Sequence, residues 1–486
     1  MSGNGPTLPL RPPKASPRGE GPLSLALLVA SACAAPAVHP LQVAHVEPIA
    51  RVEVPPPRPP PVPETRPRCE ALDASTYELP ALDDTIFAAP IPPVVDPTGR
   101  VMAPLYERIA ARIRGRGGDP IRVGIYGDSN MTQDGISGGL RRTLQAKLGD
   151  AGHGYVALGR AWPWYLHMDV SHGATYSDWT AYSTSVVHTR DGYYGFANMA
   201  FDSDHAGART YVRTADESAP VGRAVSHFDA YFLKQPAGGS FKVAIDGYEA
   251  RVVSTASSKA TAAFERFDVP DGAHNFEITV RGTGTVRVFG LTLERDEPGV
   301  VVDSLGTGAL NYEQMTHVDA ETRRAMLAHR KYDLVMFLLG SNVYAPSTKV
   351  LRGWVRSAVD AQRAAVPGVP VLILSPSDIA ESMDAPASLP RIVWLVEQLR
   401  VAAVAEGAAY WDFWSAMGGD RSIVKLRRGK GLVARDLVHL TRVSGLMLGE
   451  RLAHGLMNDF AGYLAAHPEA GCSPRSSPPL AGPSTE

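Results

Sequence analysis

Two hydrophobic rhythms run through this chain of 486 residues, and each demands a different kind of sheet. From residue 100 to about 160, and again from about 300 to 465, short apolar runs alternate with helical patterns, the arrangement of βα units on a parallel sheet. The strands read Ile121 to Tyr126, Leu334 to Leu339 and Val369 to Leu374. Ile136, Leu140, Leu144 and Leu148 recur every fourth residue before Gly149, and Ile392, Leu395, Val396 and Leu399 follow the same logic, so both stretches are expected to be helices with one inward face. From roughly 170 to 298 the period drops to two. Phe241, Val243 and Ile245 alternate with polar residues up to Asp246-Gly247, and Phe276, Ile278 and Val280 do so after Asp271-Gly272, which predicts antiparallel strands joined by tight turns. An all-β module is thus expected inside an α/β domain.

Outside these regions the composition changes. Arg11, Lys14 and Arg18 precede an apolar stretch, Pro22 to Ala32, too short to cross a bilayer as a helix and laid out like a secretory signal. It ends Ala30-Ser31-Ala32-Cys33, small residues before a cysteine, so the signal is read either as a lipobox that acylates Cys33 or as a plain signal cut near Ala32 or Ala35. Val52 to Arg68, "VEVPPPRPPPVPETRPR", is a proline-dense, extended spacer, and "CSPRSSPPLAGPSTE" is a polar tail. Of the three cysteines, Cys69 and Cys472 flank the folded part, free to pair in an oxidising compartment or to stay as surface thiols. A formal net charge of -2 provides no basic excess for nucleic acid. No CxxC or HExxH spacing appears, so neither a metal nor another cofactor is expected.

The chemistry begins at "IYGDSN", where an apolar strand runs into Gly-Asp-Ser and presents Ser129 at the carboxyl edge of the sheet, the place where open α/β folds take their ligands. A serine hydroxyl needs an oriented base to become a nucleophile. "ARDLVHLT" offers one: Asp436 and His439, three positions apart, can lie on one face of a loop or first helical turn, with the carboxylate on one imidazole nitrogen and the other nitrogen aimed at Ser129. "VMFLLGSNVY" ends a strongly apolar strand at Asn342, whose amide can donate to an oxyanion, and "VDSLGTGALN" supplies a glycine turn where Gly308 or Gly306 can offer an unobstructed N–H.

In order along the chain, these four pieces resemble the four blocks of the SGNH (GDSL-type) hydrolases. The stretches "GDSNMTQDGISGGLRRTLQAKLGDAGHGYV", "GRAWPWYLH", "VVDSLGTGAL", "YWDFWSAMGG" and "LVARDLVHLT" are closer still to one branch, the peptidoglycan O-acetylesterases with a β-sandwich insert. The resemblance implies a three-layer α/β domain with a parallel sheet, interrupted by a jelly-roll-like sandwich. It implies a catalytic set of Ser129, Asp436 and His439, with the Ser129 and Gly308 N–H groups and the Asn342 amide as the oxyanion hole, and two-step transfer of an acetyl group to water. This branch usually carries His where Asn130 stands and an acidic residue where Val343 stands, neither of them catalytic.

The domain reading is a signal peptide over 1–35, a linker over 36–68, the hydrolase domain over 69–169 and 299–465, the inserted carbohydrate-binding-like sandwich over 170–298, and a disordered tail over 466–486. The expected enzyme is exported to the periplasm or envelope, acts on an O-acetylated glycan with no nucleic-acid partner, and touches a membrane only through a lipid on Cys33. An O-acetyltransferase with the same triad, a non-catalytic glycan-binding protein and a longer-chain lipase or esterase are the rivals. Trp162, Trp164 and Tyr165 are either a sugar-stacking wall or junction packing. Asp412 reads as a structural hydrogen-bonder at a strand end, and the β insert either binds glycan or shapes the cleft.

Overall fold

Strands buried on both faces carry no alternation, and the apolar runs Ile121–Gly127 and Leu334–Leu338 are of that kind, buried almost throughout. The computed structural model describes residues 70–429 and 431–472, all within one unit that begins at Pro67. The signal-like stretch with Cys33, the linker and Cys69 lie outside the described residues.

The chain lays down α1 (Ala103–Ile113), β1 (Ile121–Gly127) and α2 (Gly135–Leu148). Antiparallel strands follow: β2 (Gly154–Ala157), β3 (Val170–Ala174), β4 (Thr180–Ser183), β5 (Met199–Ser203), β6 (Arg209–Thr214) and β7 (Val225–Lys234). Next come β8 (Ser240–Ile245), β9 (Tyr248–Ser254), β10 (Thr261–Gly272), β11 (Asn275–Val280) and β12 (Val286–Glu294). The α/β pattern then resumes with β13 (Val300–Gly306), α3 (Ala320–Arg330), β14 (Leu334–Leu338), α4 (Thr348–Ala365), β15 (Val371–Leu374) and α5 (Pro390–Ala405). It closes with β16 (Ala409–Trp411), two short helices α6 (Phe413–Ala416) and α7 (Ser422–Arg428), and the long α8 (Arg442–Ala466).

Five strands form a parallel sheet in the order β13-β1-β14-β15-β16. Alternate residues of each strand feed opposite layers. Leu334 and Met336 join α1, α2 and α8 in one core, while Val335 and Phe337 join α3, α4 and α5 in the other. The crossover places β1 beside both β13 and β14, so the order reverses at β1, and ligands in open sheets bind outside such a reversal. The predicted third strand starts two residues late, at Val371, because Pro370 has no N–H to give a ladder. The α2 helix carries glycines its propensity disfavours, and the reason is tertiary: a Cβ on Gly139 would overlap Leu446 O, and one on Gly449 would overlap Ile136 O, so α2 and α8 cross in backbone contact.

The antiparallel strands form two sheets, β10-β7-β12-β5-β4 with β2 added against β12, and β3-β6-β11-β8-β9. Phe228 and Phe232 of β7 meet Phe276 and Phe241 of the other sheet at 5.2 and 5.4 Å, the packed interior of a sandwich. The Asp246-Gly247 turn has both residues at positive φ, as a tight hairpin requires. Two boundaries move. The sandwich recruits β2 at residues 154–157, before the expected start at 170, because β12 offers it a free edge. Residues 467–472, expected in the disordered tail, fold back on α1: Arg114 donates to the carbonyls of Pro468 and Ala470, and Gly471 N–H reaches Glu107. Cys472 is disulfide-bonded, and the other two cysteines lie outside the described residues. Among the described residues no helix is long and apolar enough to cross a membrane.

Candidate active site

Three adjacent strands deliver three loops to one place. Gly306, Gly127 and Leu338 share a rung across β13, β1 and β14. Ser129 and Gly308 lie two residues beyond that rung and Asn342 four, so residues separated by up to 213 positions emerge side by side at the sheet's carboxyl edge. Met131 fills the space over Gly127 and Gly306, where a Cβ at either position would strike it. This close approach folds residues 129–131 into a single 3₁₀ turn.

His439 lies on the loop between α7 and α8, not on a helix. Val433 and Leu440 pair as a bridge, Ala434 N–H donates to His439 O, and Leu437 takes a positive φ at the tip, a strained geometry for a branched side chain. One Asp436 oxygen accepts from the Val438 and His439 N–H groups at 3.0 Å each, and the other meets His439 Nδ1 at 2.6 Å. His439 Nε2 lies 2.8 Å from Ser129 Oγ. Burial pushes the Asp436 carboxyl up, but the hydrogen bonds from the His439 ring and the two N–H groups outweigh it and hold the group below the usual carboxylate range. Asp436 stays ionised and therefore keeps the imidazole proton on Nδ1, leaving Nε2 to accept.

Among the described residues, the Ser129 and Gly308 N–H groups have no protein acceptor and the Asn342 side-chain amide has no protein partner. Gly306 is the last residue of β13, whereas Gly308 lies free of the ladder under the Trp162 indole, which a Cβ would overlap. The sandwich side reaches this turn too. Ser185 Oγ donates to Gly308 O at 2.6 Å, and Thr307 Oγ1 donates to Ala197 O at 3.2 Å.

Asn130, next to Ser129, spans the site. Its amide donates to Ser377 Oγ at 3.1 Å and Val438 O at 3.4 Å, while its oxygen accepts Leu440 N–H at 2.8 Å, gripping the backbone on both sides of His439. Asp128 is buried, with one oxygen on the Asn130 N–H and the other on the Ser341 N–H, so it ties the Ser129 turn to the Asn342 loop. Its burial raises its pKa despite those donors. Val343 is buried. Asp412 caps α6 through Ser415 and accepts from Ser375, the structural role expected.

The three aromatics divide. Tyr165 is buried, its hydroxyl serving Ala157 N–H and His167, and belongs to the packing. Trp164 is 55% exposed, edge-on to Trp162 and 6.3 Å from the His439 ring. Behind them lies a buried polar group that the spacing did not reveal. Asp134, His153 and His167 place ligand-type atoms within 4.8 Å of one another. Both Asp134 oxygens, however, are taken by Arg141 at 2.9 and 3.1 Å, and His153 Nε2 and His167 Nδ1 share a hydrogen bond at 3.1 Å, so within the group only His153 Nδ1 is left without a partner, and one buried imidazole nitrogen beside an arginine is not the open donor set a cation needs. Asp134 also accepts Met168 N–H, anchoring the segment that bears both tryptophans.

Burial lowers the pKa of His153 far below normal, of His167 to about 3 and of His172 to about 4, with Arg141 acting on the first two and Arg160 on the third. These groups are neutral in the folded protein. As pH falls below about 6.5 the unfolded chain takes up protons the folded one refuses, so each histidine removes about 1.4 kcal/mol of stability per pH unit until its folded pKa is reached. The melting temperature is expected to fall steeply from pH 7 to pH 5, and less steeply in His172→Gln; a flat profile would contradict the buried neutral state.

A parallel sheet in this order, with serine, glycine and asparagine loops on three neighbouring strands and an Asp-x-x-His loop above them, is the fold of the SGNH hydrolases. No protein-family model matches the sequence, and no curated protein does. Among solved structures, a peptidoglycan O-acetylesterase is similar with a TM-score of 0.62 at 19% identity, covering 77% of this chain and 99% of its own. A family two carbohydrate esterase from Clostridium thermocellum matches with a TM-score of 0.27 at 8% identity, over 58% of this chain and 98% of its own. A salicylyl-acyltransferase from a tetracycline biosynthetic pathway matches with a TM-score of 0.25 at 14% identity, over 59% and 96%.

Proposed function

We propose that this chain is an exported serine esterase that removes O-acetyl groups from a cell-envelope polysaccharide, peptidoglycan first among them. The observation that carries the reading is the unbroken relay from Asp436 through His439 to Ser129, at 2.6 and 2.8 Å, beside three donors with no partner of their own. Ser129 Oγ attacks the acetyl carbonyl as its proton passes to His439 Nε2. The carbonyl oxygen becomes an anion facing the Ser129 and Gly308 N–H groups and the Asn342 amide, donors already fixed before the charge develops. His439 returns the proton to the departing sugar hydroxyl. Water, deprotonated by His439, then attacks the acetyl-Ser129 ester, and the bond to Ser129 Oγ breaks as His439 hands that proton to the serine oxygen, releasing acetate.

Several features favour a glycan over a lipid. Trp164 is exposed beside His439, where a sugar ring can stack, and the similar solved structures include a peptidoglycan O-acetylesterase. A lipid on Cys33, if acquired, and the proline-dense spacer would tether such an enzyme within reach of the envelope. The sandwich, through Ser185, shapes the site whether or not it also holds glycan.

The test is acetate release from O-acetylated peptidoglycan by the purified protein, with a Ser129→Ala control and a long-chain nitrophenyl ester alongside. Acetate release that is absent from the control supports the reading. Preference for the long-chain ester makes the protein a lipase, and acetyl appearing on an added glycan acceptor in place of free acetate makes it a transferase. Asn342→Ala is expected to lower kcat on nitrophenyl acetate by roughly 10²- to 10³-fold with KM little changed, because only the transition state carries the oxyanion. An equal loss through KM alone would remove Asn342 from that role.

A further inference from the structure

The Asn342 loop is tethered through its carbonyls, and almost entirely by one side chain. Arg391, in the first turn of α5, donates from one guanidinium nitrogen to Gly340 O and Val343 O at 3.1 Å each and from another to Ser341 O at 3.0 Å. The carbonyl left over, that of Asn342, accepts from the Asn311 amide at 3.2 Å. Four successive carbonyls are therefore held by side chains from outside the loop, and the guanidinium lies 4.3 Å from the ring centroid of Tyr344, which is 73% exposed. A loop leaving a strand has no ladder to order it, and a planar fork with several fixed donors can order one where a single ammonium cannot.

We propose that Arg391 is a positioning residue that holds the Asn342 amide where the oxyanion forms. The role rests on the esterase reading of Ser129 and Asn342. Arg391 does not touch the substrate. It acts by fixing the backbone from which Asn342 projects, and Asp128 fixes the same loop from the Ser129 side through Ser341 N–H. An oxyanion donor contributes only when its position is set in advance, and a displacement near 1 Å is enough to cost about 10²-fold.

The experiment is a double-mutant cycle on nitrophenyl acetate and on O-acetylated peptidoglycan, with kcat and KM separated and melting temperatures recorded. Arg391→Lys and Arg391→Gln are each expected to lower kcat by roughly 10- to 10²-fold with KM within about threefold. In an Asn342→Ala background the same substitutions should cost less than about threefold, because there is no amide left to misplace. The lysine variant, which keeps the charge and most of the stem, guards against a loss of folding in the glutamine variant. Equal losses in both backgrounds, or losses that track the melting temperature alone, overturn the role of Arg391 while wild-type activity preserves the esterase reading. A folded wild-type protein that releases no acetate overturns both.

Discussion

Ser129→Ala is expected to reduce kcat on an acetyl ester by on the order of 10⁴-fold or more while leaving the melting temperature nearly unchanged. The two halves of that expectation come from different observations. Among the described residues Ser129 Oγ hydrogen-bonds to His439 Nε2 alone, so its removal costs one partly exposed hydrogen bond. In the proposed mechanism the same oxygen forms the acyl bond, so the two-step route disappears with it. What remains is whatever the three oxyanion donors contribute to direct attack by water. Stopped-flow turnover of nitrophenyl acetate beside a thermal melt of each protein makes the comparison, and a variant retaining more than about 1% of wild-type kcat would assign the nucleophile elsewhere. His439→Ala should fall to a similar level without a further drop in the double variant, because nucleophile and base act as one unit.

Arg141→Met is expected to cost about 3–5 kcal/mol of stability, the largest structural penalty anticipated here. Arg141 and Asp134 are both fully buried, and the guanidinium spans both carboxylate oxygens while also donating to Val302 O. Burial drives the Asp134 carboxyl up, and Arg141 more than cancels it, so the native pKa lies far below the ordinary range. Removing the arginine leaves an anion with no counter-charge and a carbonyl with no donor. Asp134→Asn in the same chain should recover part of the loss, since the uncompensated charge goes with it, although Ser137 and Met168 N–H then meet a weaker acceptor. Urea unfolding monitored by tryptophan fluorescence reads both, and a loss below about 1 kcal/mol in the single variant would refute the buried pair. Because Asp134 anchors Met168, the surviving folded fraction should also show a raised KM for glycan, through loosening of the segment that bears Trp162 and Trp164.

Much of this was visible in the order of residues because the relevant forces are local. A strand buried on both faces reads as a continuous apolar run, a two-residue period reads as a half-buried strand, and Asp436 with His439 lies within one turn of loop whose own N–H groups orient the carboxylate. Ser129, Gly308 and Asn342 each follow an apolar strand, and a parallel sheet brings the carboxyl ends of neighbouring strands together. The aromatic triplet shows where local reading stops. Trp162, Trp164 and Tyr165 have the same chemistry over four positions, yet one is exposed beside His439, one lies on Gly308 and one is buried on His167.

The amino-acid sequence by itself thus determined the parallel α/β plan and the antiparallel module within it, since periodicity and turn chemistry depend on near neighbours, while the ordered resemblance to the SGNH hydrolases implied which residues would meet at the sheet's edge. Tertiary structure alone decided how those residues are held. Asn130 grips a backbone 310 positions away, Ser185 reaches Gly308 across 123, and Arg391 collects carbonyls about 50 positions before it. Gly139 and Gly449 are explained only by the helix each one touches. Such contacts join segments with no shared period, and their energies appear only once the chain has closed the intervening loops.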